Sequence, residues 1–237
     1  MKINEKLFLT VILFFLGLDA FGEKIKFSAN SMSGTVGDKS DSTILQGEAY
    51  VLTETMEIAA NRISMSGKNF RYIEAEGEVT GKNMKSELEF SCTKLHYDRE
   101  TKIARLTDDV NLKDTKNDVT AKAQLIEYNQ STDIAIIQID LELKQKNNVC
   151  TGAFAIYDKK QQTLDLSGNA KIKQGEDTFK AQVITLNLNT QEISLDGRVQ
   201  GSIVDERKNE KKDEPSDTSF NDAAPSDTDS APEDEKK

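Results

Sequence analysis

Tryptophan is absent from this 237-residue chain, histidine occurs once, cysteine twice and proline three times. All three prolines (Pro215, Pro225, Pro232) lie in the last part of the chain. One histidine and two cysteines leave no set of residues from which a usual zinc site or a histidine-based acid/base pair is built. No metal, cofactor or enzymatic activity is therefore expected. A formal charge of −10 at pH 7 excludes a binder of nucleic acid, whose affinity rests on neutralising phosphates with Lys and Arg. Hydrophobic residues are 36% and charged residues 30%, too polar for a protein of many membrane spans.

What is present divides into three parts. Residues 1–22 carry Lys2 and Lys6, an apolar stretch over 7–18, and Ala20-Phe21-Gly22. That order is the pattern of a cleaved export signal. The stretch is shorter than the ~20 apolar residues of a spanning helix. Residues 205–237 hold every proline and are rich in Asp, Glu, Ser and Lys, a composition that predicts a disordered acidic tail. The folded part is expected over 23–204.

Within that part the sequence repeats at about 30 residues, the mark of a stacked architecture. A small residue is followed three positions later by an apolar one, and often five later by an aromatic or long apolar one. The copies begin at Ala29, Ala60, Cys92, Ala123, Gly152 and Ala181, spaced 31, 32, 31, 29 and 29 residues apart. A second mark follows 16 to 18 residues on: Gly47-Glu48-Ala49, Gly77-Glu78-Val79, Gly168-Asn169-Ala170 and Gly197-Arg198-Val199. Asp108-Asp109-Val110 and Ile139-Asp140-Leu141 are degenerate copies of it.

Around these marks apolar residues alternate with polar ones, as in Leu106, Val110, Leu112 and in Leu166, Ala170, Ile172. A period of two predicts strands with one face buried. Polar segments over 98–102, 158–162 and 187–191 read as hairpin connections. The step of three between Ala60 and Ile63 breaks the alternation and predicts a bulge or corner that folds the sheet over. Acidic pairs such as Asp108/Asp109 read as turn residues. His96 alternates between Leu95 and Tyr97 and is expected to face outward. Cys92 and Cys150 fall four strand spacings apart, roughly 19 Å, beyond the ~7 Å reach of a disulfide, and read as buried free thiols.

The pattern Ala-x-x-Ile/Leu-x-Tyr followed by Leu-x-Gly-Asn/Glu-Val/Ala resembles the LptA/OstA family of periplasmic lipopolysaccharide-transport bridge proteins. Ala181 to Leu186 with Leu195-Asp196-Gly197-Arg198-Val199 carries it, as does Gly152 to Asp158 with Leu166-Ser167-Gly168-Asn169-Ala170. The resemblance implies an all-β fold, a folded-over antiparallel sheet in the form of a half-open β-jelly roll or β-taco, here built from about six repeats. It implies a periplasmic carrier of lipopolysaccharide or a related glycolipid from inner to outer membrane. Its partners would be the inner- and outer-membrane components, joined by edge-strand pairing, with head-to-tail self-association. Two departures stand out: the acidic tail, and the loss of the second-mark glycines in the third and fourth copies.

Stacked repeats align their inward positions from copy to copy, so an apolar trough follows from the repeat itself. The residues expected to line it are Ile63, Val79, Leu95, Val110, Ile126, Leu141, Ile184 and Val199. Two other readings fit the same pattern. One is a different component of that pathway, such as a soluble analogue of the inner-membrane-anchored partner. The other is a structural or adhesive β-solenoid with a closed interior.

Overall fold

The computed structural model describes residues 24–35 and 42–204; the expected signal peptide and acidic tail lie outside them. The described residues form one antiparallel 14-stranded sheet. Its strands are β1 (Lys26–Ser28), β2 (Ser31–Thr35), β3 (Ser42–Leu52), β4 (Met56–Ser66), β5 (Tyr72–Asn83), β6 (Leu88–Asp98) and β7 (Ile103–Asp114). They continue as β8 (Val119–Asn129), β9 (Ile134–Gln145), β10 (Asn148–Asp158), β11 (Thr163–Gln174), β12 (Asp177–Asn187), β13 (Ile193–Asp196) and β14 (Gln200–Ser202). A 3₁₀ turn, Lys68–Phe70, is the helical element among the described residues.

Each strand pairs with the next in the chain, as short hairpins dictate. The ends differ. β1 and β2 pair with the two halves of β3, and β13 and β14 with the two halves of β12. Each of these pairs is one strand position broken in the middle, so the sheet has twelve positions, two for each of six repeats.

The break falls where every long strand is distorted. Register shifts lie between Gln46 and Ala49, between Glu76 and Val79, between Thr107 and Val110, and between Ser167 and Ala170. There, and at the matching place in the other two copies, two consecutive residues take positive φ: Gly47/Glu48, Gly77/Glu78, Asp108/Asp109, Ile139/Asp140, Gly168/Asn169 and Gly197/Arg198. The extra residues bend the strand sharply, as bulges do. The second mark is therefore a corner. The expectation that Asp108/Asp109 sit at a hairpin turn is corrected: they lie inside β7, and their φ values of 64° and 53° make the corner without glycine.

Ile139, at φ 65° and 54% exposed, gains little burial and carries the strain of a β-branched residue in the left-handed region. Ile139→Gly is expected to raise stability by about 1 kcal/mol, read as a higher urea midpoint at unchanged m-value. A lower midpoint would refute strain at this corner.

Hairpins are held by side chains at the strand ends. The Asp98, Asn129 and Asn187 side-chain oxygens each accept two backbone N–H groups from the following turn. The Asx turns at Asp98 and Asn187 fall on segments read as connections; the one at Asn129 is a further connection. His96 is exposed and lies 3.4 Å from Glu74, its ring stacked on Tyr72. Cys92 and Cys150 are buried free thiols on β6 and β10, four strand positions apart, and burial pushes both thiols up to about 12.

Candidate functional site: the interior and its seam

The inward rows run the length of the sheet on both sides of the corner. On one side the ladder joins Ala49 to Ala60, Val79 to Cys92, Val110 to Ala123, Leu141 to Gly152 and Ala170 to Ala181. On the other it joins Leu45, Ile63, Ala75, Leu95, Leu106, Ile126 and Ile137. Every pair on the first of these rows holds at least one Ala, Cys or Gly. Both rows belong to one continuous apolar cluster.

The eight residues expected to line a trough divide between these rows. Val79, Val110, Leu141 and Val199 follow the corner on one arm; Ile63, Leu95, Ile126 and Ile184 stand on the other. Seven are at most 2% exposed and belong to that cluster. Val199 is 54% exposed, because it ends its row between β13 and β14, where no further strand among the described residues covers it. The opposite end of the sheet has the same character: Phe27 is 47% and Met32 56% exposed. The apolar interior thus surfaces at both ends of the sheet and is filled by its own side chains between them.

Strands of 11 or 12 residues would hold their two ends roughly 36–40 Å apart if straight. Bending at the corner instead brings the two rows of hairpins together. Thr55 Oγ1 donates to Gln130 Oε1 at 3.4 Å, and Ser86 Oγ to Asp133 Oδ1 at 3.2 Å. Tyr157 donates to Asp114 Oδ2 at 2.9 Å, and the Lys159 ammonium lies 2.6 Å from the same oxygen. Asn148 Nδ2 donates to Gln191 Oε1 at 2.6 Å, and Gln145 Nε2 to the Leu188 carbonyl at 3.2 Å. These contacts form a seam. No strand ladder crosses it among the described residues, and the sheet order runs from one edge to the other without closing.

The aromatic of the first mark belongs to this seam. Tyr97, Tyr128 and Tyr157 bury their rings at the margin of the interior and turn their hydroxyls outward to Gln130, Ser86 and Asp114. An apolar ring with a polar tip suits that boundary.

Electrostatics concentrate here as well. Burial pushes the Asp114 carboxyl up, but the Lys159 ammonium, the Asn117 amide and the Tyr157 hydroxyl outweigh it and hold Asp114 below its ordinary value. Burial likewise raises Asp133, yet the Tyr128 and Ser86 hydroxyls and Lys160 bring it below normal. Tyr128 and Tyr157 are raised, chiefly by burial.

The polar half of the seam was missed in the sequence. Its signal was present: Asn83, Asp114 and Gln145 close β5, β7 and β9 at intervals of 31 residues and are at most 5% exposed. A polar residue repeating in phase with the apolar slots marks the margin of the fold. No group of His, Cys, Asp and Glu arranged to hold a metal ion occurs among the described residues.

Among curated protein sequences none matches significantly. The crystal structure of LptH, the LptA-homologous periplasmic component of the lipopolysaccharide transport device of Pseudomonas aeruginosa, is similar at 14% identity, covering 77% of this chain and 96% of that one with a TM-score of 0.24. A family profile described as LptA/(LptD N-terminal domain) LPS transport protein matches residues 28–134 and 123–192, nearly the whole folded sheet. The chain belongs to that family of LPS transport proteins.

Proposed function

We propose that this protein is a periplasmic carrier that shields the acyl chains of lipopolysaccharide, or of a related glycolipid, inside the folded sheet. The observation that carries the reading is the seam: an uninterrupted apolar interior lies behind margins that, among the described residues, are joined through side-chain contacts with no backbone ladder. Exposing an acyl chain to water costs about 0.8 kcal/mol per methylene, or roughly 10 kcal/mol for a ~12-carbon chain. A seam hydrogen bond contributes about 1 kcal/mol. Parting several of them to admit one chain is therefore favourable when the chain takes the place of the apolar packing between the arms.

The two edges support the bridging part of the reading. β1/β2 at one end and β13/β14 at the other are the last strands of the ladder among the described residues, beside exposed Phe27, Met32 and Val199. Sheet edges of this kind invite strand addition. Joining a last edge to a first edge is heterologous and extends without closing. That arrangement suits inner- and outer-membrane partners at the two ends and copies of the chain between them. The export signal expected at 1–22 agrees with a periplasmic location.

A closed structural solenoid is the competing reading, favoured by the near-complete burial of seven of the eight interior candidates. A photoreactive amino acid at Ile126 or Leu141 separates the two in cells. Crosslinking to lipopolysaccharide is expected at both sites and not at the exposed, outward Lys122. Absence of lipid adducts at Ile126 and Leu141, with the protein folded, would leave the closed solenoid.

A further inference from the structure

The outer face of the sheet follows a rule of charge. Arg62 faces Glu76 at 3.8 Å, Lys82 faces Glu89 at 3.4 Å and Arg105 faces Glu127 at 4.0 Å. Lys122 is in register with Glu142. Lys171 and Lys180 break the rule, for they stand directly opposite one another across β11 and β12. Like charges so placed are destabilising. Glu142, the next acid along this outward row, is engaged by Lys144 at 2.7 Å.

The exception sits in a cleft of about 760 Å³ near the last edge of the sheet. Arg198 joins the two lysines in its wall, together with Asn169, Gln182 and Gln200. None of the three cations has an ion pair among the described residues. The second corner residue, exposed in every copy, changes in the same direction along the molecule. It is Glu48, Glu78, Asp109 and Asp140 in the first four copies, then Asn169 and Arg198. On a chain of net charge −10, positive charge is gathered at one place and paid for in folding stability.

We propose that this cleft is a binding site for a phosphate group carried by a larger ligand. Three cations exceed what a lone carboxylate balances, whereas a phosphate carries up to two negative charges on several acceptor oxygens. Amide side chains beside them supply neutral donors. The volume lies in the range of ligand pockets and well above that of a bare anion. A lipid head group and free phosphate share this chemistry. The three cations are exposed on the outward side, while the cleft also reaches Ala170 and Ala181 of the inward row.

Titration calorimetry on the full chain with dihexanoyl phosphatidic acid, inorganic phosphate and uncharged dihexanoylglycerol tests it. Both phosphates are expected to bind in competition, and the uncharged lipid is not expected to compete. Tighter binding of the phosphatidic acid is expected and identifies a head group as the source; equal binding of inorganic phosphate would overturn the larger ligand. Lys171→Gln with Lys180→Gln should weaken binding by about tenfold or more. Lys180→Glu, which restores an opposite-charge pair with Lys171, should abolish binding while unfolding at the same or a higher urea concentration. Failure of both phosphates to bind, or undiminished binding in these folded variants, would overturn the proposal.

Discussion

A tether across the seam is expected to stop lipid loading. Ser86 and Asp133 approach to 3.2 Å between side-chain oxygens, yet they belong to opposite rows of hairpins. Cysteines at these two positions, joined by a short bismaleimide, would hold the margins together. The native thiols do not interfere, because Cys92 and Cys150 are buried and pushed up to about 12, and the thiolate is the reactive species. The untethered double variant lacks one latch and is expected to take up lipopolysaccharide at least as readily as the parent. The tethered form should fall about tenfold or more, since each acyl chain outweighs the seam by several kcal/mol only if the margins can part. Loading that survives the tether would mean that lipid enters through the ends of the sheet or does not enter the interior at all.

The largest effect on folding is expected from Asp114→Ala. The Asp114 side chain is 1% exposed. It accepts from Tyr157, from the Asn117 amide and from the backbone N–H groups of Lys116 and Asn117, and it faces Lys159, whose side chain is 9% exposed. Removing it leaves a buried ammonium and a buried hydroxyl without their acceptor. The cost is expected at about 3–5 kcal/mol, measured by urea unfolding at pH 7. Adding Lys159→Met should recover much of the loss, because a buried pair replaced by apolar groups is close to neutral, and the double-mutant cycle isolates the pair. A loss below about 1 kcal/mol would place the pair among weak surface contacts.

The same groups set a pH window. Asp114 and Asp133 are held below the ordinary carboxylate value, so the native state binds those protons less tightly than the unfolded chain. Their contribution is complete above about pH 4 and is lost as pH falls through the depressed native values. Tyr128 and Tyr157 are raised, so theirs is complete below about pH 10 and is lost as pH rises through the native values. Stability from the seam is thus flat between these limits. Asp114→Asn should make the acid limb shallower and leave the alkaline limb in place. An unchanged acid limb would remove Asp114 as a source of the pH dependence.

Much of the architecture could be read from residue order. The alternation around Leu166, Ala170 and Ile172, the six in-phase copies and the polar segments at 98–102 and 158–162 determined the strands, their inward faces and their connections. These are local properties: a side chain's face follows from its place in a period of two, and an Asx turn from two or three neighbouring residues. The family resemblance rests on the same repeating slots.

Three features were decided only by the tertiary structure. Asp108/Asp109 and Ile139/Asp140 form corners without glycine, because the neighbouring strands impose the bend on residues that would not choose it. Val199 occupies an inward slot yet is exposed, because the row ends there. The seam joins residues separated by 33 to 75 positions, such as Tyr97 with Gln130, Asp114 with Tyr157 and Thr55 with Gln130. Which hairpin meets which depends on how far the sheet twists as its strands accumulate, a sum over the whole sheet that no short window of sequence contains.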